Sequence, residues 1–159
     1  MEAGAEFGIS MFGLRALNAM RLEKNFGGWA REYRPLYGPV EAGLDRFIAY
    51  EKDMDFIGKE AALAERANGG SVRLKAFRLA ARDADVIGDE PIWLNGEVVG
   101  WVTSGGYAHG SEQSMAVGYI PKEHTSAEAG WEIELLGERL GAEIQHAPIW
   151  DANAERMRG

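Results

Sequence analysis

The spacing of apolar residues changes near the middle of the chain. The stretch Gly13 to Leu22 is made mostly of good helix formers. Leu14, Leu17, Asn18 and Arg21 fall at i, i+3, i+4 and i+7, so a helix puts them on one face. Gly27-Gly28 stops any helix that runs on, and Trp29 to Pro39 is aromatic and irregular, with Pro35 and Pro39 as breakers. Val40 to Tyr50 is ambiguous: Gly43 weakens a helix there, and Phe47 to Tyr50 reads as either a short strand or a turn of helix. A second helix is expected from Ile57 to Ala67, stopped by Asn68-Gly69-Gly70.

Beyond Ser71 the period shortens to two. Val72 to Ala76 alternates apolar and polar, as a half-buried strand does. Phe77 and Leu79 continue on the opposite parity, which predicts a bulge near Ala76. Pro91 to Leu94 and Glu97 to Thr103 flank Asn95-Gly96, a strong two-residue hairpin signal because both turn residues need positive φ. Met115 to Ile120 is a further strand, stopped by Pro121, and Trp131 to Leu136 with Ala142 to Ala147 forms a second hairpin across Gly137 to Gly141. Five or six short strands in about 80 residues, without a long crossover helix, suggest an antiparallel barrel or sandwich.

Composition narrows the function classes. The chain has 159 residues, a formal net charge of −8 and no cysteine. Lys and Arg are scattered, with none of the basic patches that nucleic-acid binders carry, so no nucleic-acid partner is expected. No apolar run reaches the roughly 18 residues of a membrane span, and the first ten residues lack a signal-peptide pattern. Without cysteine there is neither a disulfide framework nor a thiolate site. A cytoplasmic location is expected. Glycine, at 21 residues, is the outlier and points to many tight turns.

Candidate chemistry is sparse. His109, His124 and His146 share no metal-ligand spacing, so no metal site is expected. Thr103-Ser104-Gly105-Gly106 lacks the Lys and following helix of a phosphate loop and reads better as a strand-ending turn. Ser104, His109 and Asp151 form a hydrolase triad only on paper, with no GxSxG elbow. Glu41 and Asp45 share a face only if Val40 to Tyr50 is helical; a solvated or turn-capping role is preferred for them. The dense aromatics Trp29, Tyr33, Tyr37, Trp93, Trp101, Tyr107 and Tyr119 are read mainly as core and turn packing. Arg21 stands out. A guanidinium on the apolar stripe of Leu14 and Leu17 needs an anion or several acceptors, since an unpaired buried charge is very costly. Its rigid fork suits carboxylates and flat heterocycles. A structural ion pair with Glu23 or Glu41 is the alternative to a ligand.

Several of these stretches together resemble a known family. Gly13 to Lys24 is similar to a "G-x-R-A-x-x-x-x-R-L-E-K" segment of folate-dependent aminomethyltransferases. Gly38 to Leu44 resembles "P-x-E-A-G-L", and Lys52 to Leu63 "K-x-x-F-I-G-K-x-A-L". Gly100 to Tyr107 resembles "G-x-V-T-S-G-G-Y", and Ala116 to Pro121 and Pro148 to Asp151 complete the series in order. The resemblance runs from about Phe7 to Arg158. It favours the dimethylglycine/sarcosine dehydrogenase branch over the glycine-cleavage T-protein itself.

The resemblance implies an α+β chain. Residues 1–68 would be the tail end of a folate-binding domain, 71–150 a six-stranded antiparallel Greek-key-like barrel, and 151–159 a C-terminal tail. It implies tetrahydrofolate as cofactor, a small methylated amine as donor and 5,10-methylenetetrahydrofolate as product. Arg21 and Glu23 would be the cofactor-binding residues. The family's catalytic Asp and its "Y-T-G-E-x-G-Y-E" stretch lie upstream of this segment and do not occur here, and FAD would enter only through an N-terminal domain. The chain is therefore expected to be a C-terminal fragment, inactive alone. The alternative is a non-catalytic interaction module that self-associates or pairs with a separate N-terminal polypeptide.

Overall fold

The computed structural model describes residues 2–158. Its centre is a closed antiparallel barrel with strand order β1-β4-β3-β2-β5-β6, the last strand pairing with the first. The strands are β1 Val72–Leu79, β2 Pro91–Leu94, β3 Glu97–Ala108, β4 Gln113–Pro121, β5 Trp131–Leu135 and β6 Glu138–Gln145. Closure leaves no free sheet edge to be covered. The expected six-stranded barrel is the fold observed.

The barrel interior is filled from alternate positions. Phe77, Ile92, Val102, Ala116, Ile120 and Ile133 are fully buried in one cluster closed by Trp131. The first hairpin turns at Asn95-Gly96, with φ of 52° and 91°, the conformation that Asn-Gly favours. The second hairpin is tighter than expected. Leu136-Gly137 alone makes the turn, so Glu138 to Gly141 are already in β6, with Leu135 opposite Glu138.

No bulge occurs in β1. It runs in unbroken register against β4, from Val72 opposite Pro121 to Leu79 opposite Ser114. The parity change in the sequence has another cause. Phe77 and Leu79 face the barrel interior, whereas Leu74 and Ala76 pack outside it in a second cluster with Leu22, Met115 and Val117. The strand is apolar on both faces at different points along its length.

That outer cluster is where the N-terminal part docks. Helix α1, Leu14–Glu23, buries Ala19, Leu22 and Glu23. A ten-residue helix is marginal in isolation, so tertiary contact holds it. Full burial of the Leu22 side chain contributes about 1.5–3 kcal/mol. The stripe of Leu14 and Leu17 faces away from the barrel instead, with Leu14 84% and Leu17 47% exposed. Residues 24–58 are turns with one short 3₁₀ segment, Asp45–Phe47. Helix α2, Lys59–Asn68, ends at Gly69 in the left-handed conformation that its stop signal requires. A short helix α3, Glu155–Arg158, closes the described chain.

Candidate functional site

The charged groups that meet at the junction of the N-terminal part and the barrel centre on a residue the sequence did not single out. Glu32 lies in the irregular aromatic stretch, and its side chain is fully buried. Oε1 accepts a hydrogen bond from Ser104 Oγ at 2.6 Å and lies against the Thr103 hydroxyl. Oε2 accepts from the Gly28 backbone N–H and from Arg21 Nη1, the latter at 3.2 Å. The Glu32 carbonyl accepts from the Tyr119 hydroxyl at 2.8 Å. A buried carboxylate is tolerated only with such a full set of donors.

The barrel supplies its two hydroxyls by a local irregularity. Along a regular strand Thr103 and Ser104 point to opposite faces. The β3–β4 register shifts between Val102 and Ser104, and both hydroxyls reach Glu32. The Thr-Ser-Gly-Gly segment therefore lies inside β3 with a bulge at Thr103, and is not a turn that ends the strand. A bulge re-aims side chains in this way. Gly105 follows for steric reasons: a Cβ there would stand 2.2 Å from Val86 Cγ2 and 2.8 Å from the Met115 carbonyl oxygen.

Arg21 is held on three sides. Nε and Nη2 donate to Asn18 Oδ1 at 2.9 and 2.7 Å, and Nη1 donates to the Phe26 carbonyl at 3.2 Å as well as to Glu32. Asn18 in turn donates to the Gly105 carbonyl at 3.1 Å. The guanidinium has five N–H groups, so among the described residues one, on Nη2, is left without a partner. The side chain keeps 16% of its surface accessible. The ion-pair partner is thus Glu32, not Glu23 or Glu41. Neither of those can take the role, because each is occupied elsewhere.

Glu23 faces the β3–β4 connection, where Oε1 accepts from the Ser111 N–H at 2.8 Å and the Ser111 hydroxyl at 3.0 Å. Arg21 and Glu23, both expected at the cofactor, are therefore turned to different neighbours. Lys24 Nζ donates to the Asp151 carbonyl at 2.6 Å and pairs with its carboxylate at 3.2 Å, beside the Trp150 ring. Burial opposes the charged form of Asp151, but the Lys24 ammonium and the N–H groups of Arg156 and Glu155 outweigh it and hold its pKa below the ordinary range. Glu41 caps the start of the barrel, accepting from the Ser71 N–H at 2.7 Å and the Ser71 hydroxyl at 3.0 Å. Burial raises its pKa, and the donors of Ser71, Gly38 and Val72 bring the net value below the ordinary one. Burial, with Tyr37 and Glu32 nearby, pushes the Tyr119 hydroxyl well up, so it stays a donor.

The paper triad does not assemble. Ser104 serves Glu32, Asp151 serves Lys24, and the His109 ring stands edge-on to Tyr107 at 5.0 Å. Among the described residues no group of three metal-ligating side chains occurs. Of the aromatics, Tyr119 is buried and stacked on Tyr37 at 3.6 Å, but Trp29, Trp101 and Tyr107 are exposed rather than packed.

Two family models cover most of the chain. The glycine cleavage T-protein C-terminal barrel domain matches residues 73–151, and the GCVT N-terminal domain matches residues 1–52. The chain belongs to the glycine cleavage T-protein-like aminomethyltransferase family. It is 43% identical over 158 residues to the mitochondrial dimethylglycine dehydrogenase of Rattus norvegicus, covering 99% of this chain and 18% of that one. It is 30% identical over 150 residues to an aminomethyltransferase of Symbiobacterium thermophilum, covering 94% of this chain and 40% of that one. Among solved structures, the glycine cleavage system aminomethyltransferase T of Bartonella henselae superposes with a TM-score of 0.82 at 24% identity, over 95% of this chain and 44% of the other. The chain thus spans less than a fifth of the dehydrogenase relative's length. That relative is named as mitochondrial. No helix among the described residues is long and apolar enough to cross a membrane.

Proposed function

We propose that this chain is the C-terminal portion of a tetrahydrofolate-dependent aminomethyltransferase module of a dimethylglycine/sarcosine dehydrogenase-like enzyme. The observation that carries this reading is Arg21: a guanidinium fixed by Asn18 and Glu32 that, among the described residues, keeps one free Nη2–H, one helical turn from the exposed Leu17. Such a group fits one flank of a flat, polar-edged heterocycle, and the apolar side chain fits its face. Bound tetrahydrofolate supplies the acceptor for the one-carbon unit of a small methylated amine. Arg21 orients it, Glu23 acts one step back by fixing the end of α1 to the Ser111 turn, and the barrel forms one wall. The general acid–base Asp and any flavin belong to an upstream part, so the chain alone is inactive.

Calorimetric titration with tetrahydrofolate tests the reading. Binding that disappears in Arg21→Ala is expected. Binding that survives Arg21→Ala overturns the assignment of Arg21.

A second reading draws on the same face. Leu14, Leu17, Met20 and Trp29 are each exposed on the N-terminal part, which fits a non-catalytic interaction module pairing with an N-terminal polypeptide or with itself. Absence of any tetrahydrofolate binding, together with self-association in the ultracentrifuge, favours this second reading.

A further inference from the structure

We infer that Glu32 is the positioning residue for Arg21, and that it carries the barrel's geometry to that guanidinium through Thr103 and Ser104. This rests on the folate reading only for its consequence in binding; the positioning itself is a property of this chain.

The argument is one of degrees of freedom. Arg21 belongs to α1 and could swing about its long side chain. Asn18, three residues away on the same helix, fixes the Nε–Nη2 edge and is itself tied to β3 by one neutral hydrogen bond to the Gly105 carbonyl. Among the described residues, Glu32 is the one charged partner from outside the helix. Its Oε1 is fixed by hydroxyls of β3 and its backbone carbonyl by Tyr119 of β4. The Nη1 edge also donates to the Phe26 carbonyl just past α1, and Glu32 adds the charged reference to the barrel. The Thr103 hydroxyl can give its single proton either to Glu32 or to the Val117 carbonyl, which it also reaches at 3.0 Å. An ionised Glu32 attracts that proton, since charge-assisted hydrogen bonds are about twice as strong as neutral ones. The free Nη2–H and the accessible edge of Arg21 are what this arrangement presents.

The test uses the 159-residue chain and two readouts. The Nε–H resonance of Arg21 is assigned by its disappearance in Arg21→Lys, and tetrahydrofolate affinity is measured by calorimetry. In Glu32→Gln, which keeps the shape and removes the charge, the Arg21 resonance should shift and its hydrogen exchange should accelerate. The Kd for tetrahydrofolate should weaken about tenfold, the factor that 1.4 kcal/mol carries. Ser104→Ala, which removes one hydroxyl from Oε1 and leaves the ion pair in place, should give a smaller change of the same kind, and it decides the matter if Glu32→Gln does not fold. Glu32→Asp, with the charge kept on a shorter arm, should restore part of the wild-type signal. Unchanged Arg21 resonance and unchanged Kd in a folded Glu32→Gln overturn the inference, even if the variant is less stable. A wild-type chain that binds no tetrahydrofolate defeats the folate reading alone, and the Arg21 resonance still decides the role of Glu32.

Discussion

Glu32 and Arg21 form a buried ion pair with 0% and 16% of their side chains accessible. Removing one member of such a pair leaves the other with unsatisfied charge, typically at a cost of 3–5 kcal/mol. Arg21 has a partial route to water, so Glu32→Ala should cost about 3 kcal/mol, the low end of that range. Urea unfolding measures it, and a loss below about 1 kcal/mol, the size expected of an ordinary surface pair, contradicts the burial argument. Gly105→Ala should destabilise by about 1–3 kcal/mol through overpacking, because the Met115 backbone at 2.8 Å cannot yield as a side chain can. The same unfolding assay reads it. Arg21 was legible in the sequence as a charge in need of a partner. Its partner was not, because a glutamate between aromatics in a proline-broken stretch carries no periodic signal, and only the docking of that stretch on β3 brings it against Thr103 and Ser104.

Connections between elements rest on carboxylates whose ionised form is stabilised. Glu41 joins Gly38 to the start of β1 through Ser71 and Val72, and its folded pKa lies below its unfolded value. A depressed carboxylate pKa gives stability that is present above the unfolded value and lost as pH falls through the folded one. Asp151 behaves in the same direction at the α1–tail contact. Stability should therefore fall as pH drops through and below roughly 4, the ordinary carboxylate range. Glu41→Gln should flatten that part of the profile, and an unaltered acid limb in thermal melts would count against this role. Lys24→Met should free the tail beyond Pro148 to limited proteolysis at neutral pH while the barrel persists. Three stretches that carry the family resemblance, those around Glu23-Lys24, Glu41 and Trp150-Asp151, are thus joints between elements.

At the scale of the whole molecule, the barrel is closed around its own buried core, while the N-terminal part leaves large apolar side chains exposed. Met11, Phe12, Leu14 and Trp29 are 80%, 64%, 84% and 85% exposed, large apolar side chains of the kind that interaction surfaces use where they adjoin. The isolated chain should bind an apolar dye and self-associate in sedimentation, and Leu17→Glu with Met20→Glu should reduce both without altering the circular dichroism of the barrel. A wild-type chain that is monomeric and dye-silent removes the basis for this expectation. Purified chain supplied with tetrahydrofolate and a methylamine donor should show no turnover.

The sequence by itself determined the strand content, the Asn95-Gly96 turn, the stop of α2 and the family, because each is written in local chemistry: period, left-handed turn residues and ordered motifs. It misread the bulge in β1, the Thr-Ser-Gly-Gly segment and the buried face of α1. Those depend on which side of a strand or helix meets another element, and a local pattern does not specify that. Only the packing of α1 on β3 and β4 decided that it docks through Ala19 and Leu22, leaving Leu14 and Leu17 outward. The same docking joined Glu32 to residues of β3 some seventy positions away, since long-range pairing of a buried charge is set by where water is excluded.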